Sequence, residues 1–140
     1  MKKFTSKTQR VGEIGEKLAR KKLLGLGFKI IESNYTKQGG EIDIIAQKGN
    51  NLHFIEVKSV SCEINRVEND GNVTHVTNNL YRPEENLSFN KFLKIAKTID
   101  IYLSEKHVSP ETSWQIDLAC VYIDLKTKQG KVEILENIIV

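Results

Sequence analysis

The sequence of 140 residues predicts one α/β domain, a mixed central β-sheet flanked by helices in the order α-β-β-β-α-β-β. Three observations carry this expectation. Residues 8–26 and 87–106 place apolar side chains at helical spacing, as a helix with one buried face does. Five other stretches alternate apolar and polar residues with the period of two of a half-buried strand. Glycine- and asparagine-rich turns separate them. A chain of this length, residues 1–140, suffices for a single hydrophobic core.

The first helix is expected from about Thr8 to Leu26, with Val11, Ile14, Leu18, Ala19 and Leu26 as its inward stripe and Gly25 and Gly27 ending it. Glu16 falls at the edge of that stripe, about 100° from its centre, where it can lean toward a site beside the core. Phe28 to Tyr35 follows as a strand. Then "GGEIDIIAQKGNNLHFIEVK", residues 39 to 58, reads as a hairpin turning at Lys48 to Asn51. Pairing Gln47 with Leu52 sets Ile44 against Ile55 and Ile42 against Val57 on one apolar side, and a slip of one residue would scatter that side. A second helix is expected over Leu87 to Lys106, with Phe92, Ala96, Ile99 and Leu103 inward. Ser113 to Leu125 and Val132 to Ile139 close the chain as strands around the turn "KTKQGK".

The hairpin register places Asp43 opposite Glu56, with Lys58 on the same side. Directly opposed carboxylates destabilise a strand pair. Lys58 relieves the repulsion only in part, since it stands roughly 7 Å from Glu56 along the strand. Two carboxylates held together make chemical sense when a hard divalent cation lies between them, with substrate phosphate completing its shell. A lysine beside such an ion can orient or deprotonate a water. Glu41 shares the Asp43 side, two residues outward, as a rim residue.

Asp43, then Glu56, then Lys58 in "EVK" resembles the active-site motif of the PD-(D/E)xK nuclease superfamily. The surroundings are similar to the YraN-like bacterial proteins of predicted endonuclease function. The stretches that carry the resemblance read here "GEKLARKKLLGLGF", "GEIDIIA", "FIEVK", "NKFLKIAKTIDIYL", "QIDLACV" and "EILENII", in the family's order and over nearly the whole chain. Ser59 and Val60 stand where the family usually has an aromatic residue and an arginine. The resemblance implies a restriction-endonuclease-like core and a Mg²⁺- or Mn²⁺-dependent endonuclease hydrolysing DNA phosphodiester bonds. Branched recombination or repair intermediates are an expected substrate, because the superfamily includes Holliday-junction resolvases. It implies that Asp43, Glu56, the Val57 backbone carbonyl and Glu16 hold the metal, and that Lys58 positions the attacking water. Lys91 opens the second helix, where a positive charge opposes the macrodipole. That misfit and the resemblance make it a candidate phosphate ligand.

Bulk properties fit nucleic acid without demanding it: net charge is +3 and the isoelectric point about 8.8. Basic residues gather early, Arg10 among them, and Arg82 beside Pro83 is a second candidate contact to a base or phosphate. DNA is thus the expected partner, with a homodimer as one allowed assembly. Cys62 and Cys120 have no metal-like spacing, and His53, His75 and His107 no ligand spacing, so surface or loop positions are expected for the histidines. Asp117, on a strand face with Ala119 and Val121, is expected to bond to backbone. The N-terminus lacks an apolar signal region and no run is long enough to span a membrane, so the expected location is the cytoplasm. Residues 60–86, with the turn signal "NDGN", are expected to form a mobile insertion carrying an excursive hairpin, Glu63 to Glu68 against Val73 to Thr77. Two other readings compete with the nuclease: a nucleic-acid-binding module of the same fold without turnover, and a protein-interaction domain docking through that insertion.

Overall fold

In the computed structural model, residues 6–66, 73–76 and 88–138 are described. Helix α1 (Lys7–Gly25) starts at a capping box, in which Ser6 Oγ accepts the Gln9 N–H at 3.1 Å and the Ser6 N–H donates to Gln9 Oε1. Such a cap contributes about 1 kcal/mol. The helix ends with the Phe28 N–H on the Leu23 carbonyl and the Gly27 N–H on that of Leu24. This paired closure turns Phe28 back onto Leu23 in the core. Strands β1 (Lys29–Lys37), β2 (Gly40–Lys48) and β3 (Asn51–Ser61) follow. A separate two-stranded sheet pairs β4 (Ile64–Arg66) with β5 (Val73–Val76). Helix α2 (Phe89–Glu105), β6 (Ser113–Asp124) and β7 (Gln129–Leu135) complete the chain.

The main sheet has the order β1-β2-β3-β6-β7; β3 and β6 run parallel and the other neighbours antiparallel. The α-β-β-β-α-β-β order expected from the sequence is therefore the order of the main domain. So is the hairpin register, from Gln47↔Leu52 to Ile44↔Ile55, although Lys48 pairs with Asn51 and the turn is tighter than expected. Val60 and Ser61 do not belong to the insertion assigned to 60–86. They extend β3 along Tyr122 and Ile123, because the parallel ladder with β6 continues past the end of the β2 pairing. The excursive hairpin is present, and the remainder of 67–87 lies outside the described residues.

Two cores lie on opposite faces of the sheet. Ile44, Ala46 and Ile55 pack with Val11, Ala19 and Leu23 of α1; Ile45, Leu52 and Phe54, of opposite parity, pack with Ile95, Ile99 and Tyr102 of α2. The sheet is thus apolar on both sides, where the sequence suggested one apolar side. Ile42 departs from strict alternation. It joins Ile45 in the α2 core, across from Tyr35, and so does not share a side with Val57. The change of side occurs at Asp43, opposite Asn34, whose φ is 54°. A left-handed residue inside a strand bends and twists it locally. Helix phases also differ in detail. Leu26 follows the end of α1 and is exposed, while Leu23 takes the buried place. In α2, Ile95, Thr98, Ile99 and Tyr102 point inward, with Phe92 and Leu103 at the margin. Thr98 can face inward because its hydroxyl is satisfied by the Lys94 carbonyl at 2.8 Å.

Candidate metal centre

The β2–β3 ladder reaches Ile44↔Ile55. One residue further, the Asp43 carboxylate reaches across, and its Oδ2 accepts the Val57 N–H at 2.8 Å. Asp43 and Glu56 then line one cavity of about 370 Å³ with Gly39, Gly40 and Glu41 of the β2 end and with Ser88, Asn90, Lys91, Lys94 and Ile95 of α2. Glu56 lies on the α2 face of β3 by parity with Leu52 and Phe54, and it is largely buried.

Glu16 approaches from α1, on the other face. Two glycines make the convergence sterically feasible. A Cβ on Gly15 would lie 1.7 Å from Ser59 Oγ of β3, and a Cβ on Gly40 would lie 2.1 Å from Thr98 Oγ1 of α2. Each glycine immediately precedes a glutamate, Glu16 or Glu41, and each lets its backbone press close enough to bring that carboxylate toward the site.

The electrostatics record this crowding. Burial, then the Glu56 charge, push the Asp43 carboxyl up to about 8, with Glu16 and Glu41 adding to the rise and the Val57 N–H opposing it. The Glu16 carboxyl is raised by burial, then by Glu41 and Glu56, against a lowering by Arg20. Four carboxylates thus feel one another where none would be placed for stability alone. The counter-charge comes from α2. Lys91 Nζ lies 2.9 Å from Glu56 Oε1. Lys91 is the third residue of α2, and its N–H donates to Ser88 Oγ at 3.2 Å, so its charge stands in the first helical turn, which has no acidic residue.

The structure therefore brings Asp43, Glu56 and Lys91 to one cavity and couples Glu16 to it. Lys58 lies on the same face of β3 by parity, yet it is not among the residues lining that cavity. Arg10 is exposed in the first part of α1 and is not placed at the cavity either; six residues before Glu16, it projects from a different side of the helix. Arg82 is outside the described residues. Lys94 was missed in the sequence, although its place one turn after Lys91 put it on the same helix face.

A second polar group lies on the α1 face. His53, Asp117 and Glu136 hold ligand atoms within 4.8 Å of one another, a group that could hold a metal ion. His53 is buried, against the surface position expected for it, because a partner awaits it in the parallel neighbour. His53 Nδ1 lies 2.6 Å from Asp117 Oδ2, and Asn51 Nδ2 lies 3.3 Å from His53 Nε2. Asn51 also donates to Gln115 Oε1 at 2.7 Å, and Gln115 Nε2 to Asp117 Oδ1 at 2.8 Å, closing a ring across β3 and β6. The Asn137 N–H adds a donor to Asp117 Oδ1, the backbone bond expected of that aspartate. This ring fits a His53 tautomer protonated at Nδ1. Each buried polar atom in it has a partner, as a register lock requires.

Residues 15–121 match the Uncharacterised protein family UPF0102, a span that contains Glu16, Asp43, Glu56, Lys58 and Lys91. A UPF0102 protein of Campylobacter fetus is 36% identical over 124 residues, covering 89% of this chain and 88% of its own. One of Campylobacter lari is 40% identical with the same coverage. One of Helicobacter pylori is 40% identical over 116 residues, 83% of this chain and 79% of its own. With this match and these relatives, the chain belongs to the UPF0102 (YraN) family.

Proposed function

We propose that the chain is a metal-dependent nuclease acting on DNA phosphodiester bonds, with branched recombination or repair intermediates as its substrate class. The observation that carries this reading is Asp43. Its carboxylate is fixed by the Val57 N–H, lines a cavity with Glu56, and is pushed up by burial and by surrounding carboxylates. Such a site is costly until a cation enters it.

The donor set fits a hard ion. The acidic side of the cavity offers carboxylate oxygens, with no histidine or cysteine among the described residues that line it. Asp43 and Glu56, with the Val57 carbonyl and Glu16, would hold Mg²⁺ or Mn²⁺. When bound, the ion would polarise the phosphoryl oxygen and stabilise the leaving oxyanion. Lys91 and Lys94, beside the α2 N-terminus, present positive charge to a phosphate from the other wall. Lys58, on the Glu56 face of β3 by parity, would orient the attacking water.

The test is cleavage of supercoiled plasmid and of linear, flapped and four-way DNAs with Mg²⁺ and with Mn²⁺. Metal-dependent cutting by the wild type, abolished in Asp43→Asn, is the expected result. Salt-sensitive DNA binding without any cutting would instead make the chain a binding module of the same fold. Cutting that survives in Asp43→Asn would remove this cavity as the active site.

A further inference from the structure

We propose that Lys91 is a resident counter-cation of the metal site, which the metal must displace from Glu56, and that its release couples metal loading to the binding of a phosphodiester. The inference rests on the nuclease reading of the same cavity.

Lys91 Nζ holds Glu56 Oε1 at 2.9 Å, with the Glu56 side chain 10% exposed and that of Lys91 41% exposed. The two ends of the pair differ in freedom. Glu56 sits in the middle of a central strand, paired with Leu118 of β6, so the sheet fixes its backbone, and its side chain is nearly buried. Lys91 carries its charge on a flexible four-carbon stem at the mouth of the same cavity. A divalent ion bound to Glu56 would face the ammonium across a few ångströms, and like charges at that range repel. The mobile partner is the one to move.

The place of Lys91 in its helix strengthens the argument. At the third position of a helix capped by serine, a glutamate or glutamine would complete a capping box, as Gln9 does in α1. In α2 a lysine stands there, adding positive charge to the positive end of the helix dipole. Glu56 offsets that disfavoured charge only while the pair is made. Once an ion takes Glu56, the ammonium and the N-terminal amides of α2 are left facing the cavity, and an anion becomes their best partner. Lys91 thus competes with the metal for Glu56 and, once released, becomes a binding residue for the phosphodiester. By linkage, each ligand then favours the other.

The experiment is Mn²⁺ binding to the full chain by calorimetry and by electron paramagnetic resonance of the free ion, for wild type, Lys91→Met, Lys91→Arg and Asp43→Asn. Lys91→Met keeps the stem and removes the competing charge. It should bind Mn²⁺ more tightly than wild type, by about fivefold or more. Lys91→Arg, which keeps the charge, should not. A short DNA duplex supplies the second readout: wild type should bind it more tightly on adding Ca²⁺, and Lys91→Met should lose most of that gain. If wild type binds Mn²⁺ through Asp43 but Lys91→Met binds no more tightly, the counter-cation role is wrong and the metal site stands. If Asp43→Asn binds Mn²⁺ as well as wild type does, the metal site itself is wrong and this proposal fails with it.

Discussion

Asp43 concentrates the electrostatic strain of the cavity in one carboxylate, and its burden is measurable as stability. In the folded, metal-free protein its carboxyl is pushed from 3.8 up to about 8 by burial and by Glu56. The folded state therefore holds a proton that the unfolded chain releases, so the stability from this group is complete below about pH 4 and is lost as pH rises toward about 8. Asp43→Asn keeps the shape and an acceptor for the Val57 N–H. It should unfold like wild type in acid and be the more stable protein at pH 9, by about 1 kcal/mol or more. Metal should reverse the order. Wild type at a hundredfold excess of Mn²⁺ over its dissociation constant should gain about 2.7 kcal/mol, and the gain should grow with pH as the ion competes with the proton. Thermal melts across pH, with and without Mn²⁺, decide the matter. A variant that melts lower than wild type at every pH, with no response to metal in either protein, would make Asp43 an ordinary structural residue.

At the scale of elements, α1 and α2 are set by what their glycine contacts allow. Gly15→Ala puts a methyl group into Ser59, so α1 must lift from β3 and carry Glu16 with it. The expected cost is about 1–3 kcal/mol by denaturant unfolding, as for other overpacked sites. Ser59→Gly in the same chain should recover much of it, and strict additivity of the two changes would show that the contact is not the cause. The helices and strands that position the site were legible because each bears a strong local pattern. The hairpin register followed from Ile44, Gln47, Leu52 and Ile55 alone, and with it the meeting of Asp43 and Glu56. What was not legible depended on non-local geometry. Ile42 changes sides because β1 bends at Asn34. Lys91 finds Glu56 because α2 packs against β2 and the Lys91 side chain reaches β3 from its first turn. His53 is buried because Asp117 lies in a parallel partner strand, and no local period predicts which residues a parallel crossover brings together. A trace remained in the spacing: Asn51 with His53, and Gln115 with Asp117, are polar pairs two apart near the starts of their strands.

Taken whole, the molecule is a sheet buried on both faces, with a carboxylate-rich cavity opening beside the end of α2. Basic residues outnumber acidic ones, 21 to 18, yet Glu41, Asp43 and Glu56 crowd one side of the cavity. DNA affinity should therefore be weak in chelator, rise with Ca²⁺, and fall with added salt by about one unit of log–log slope for each phosphate contact made. Filter binding across a salt series measures this, and an affinity indifferent to both salt and Ca²⁺ would exclude nucleic acid as the partner. No helix among the described residues is long and apolar enough to cross a membrane.

The ring of Asn51, His53, Gln115 and Asp117 joins residues 64 positions apart in the chain. That separation sets an order of assembly. The β2–β3 hairpin closes over a tight turn and can form early, whereas β6 must find β3 after the whole intervening chain has been threaded past it, a closure of high entropic cost. The ring, whose atoms are satisfied only when the parallel register is correct, is expected to close after the rate-limiting step, as a latch on a sheet already docked. Asp117→Ala should accordingly speed unfolding far more than it slows refolding, while Ile45→Val in the hairpin should slow refolding. Stopped-flow measurements on the two variants separate these limbs. Persistence of the native state, and with it resistance to degradation by cellular proteases, would then reside in a polar cluster separate from the carboxylates that line the cavity.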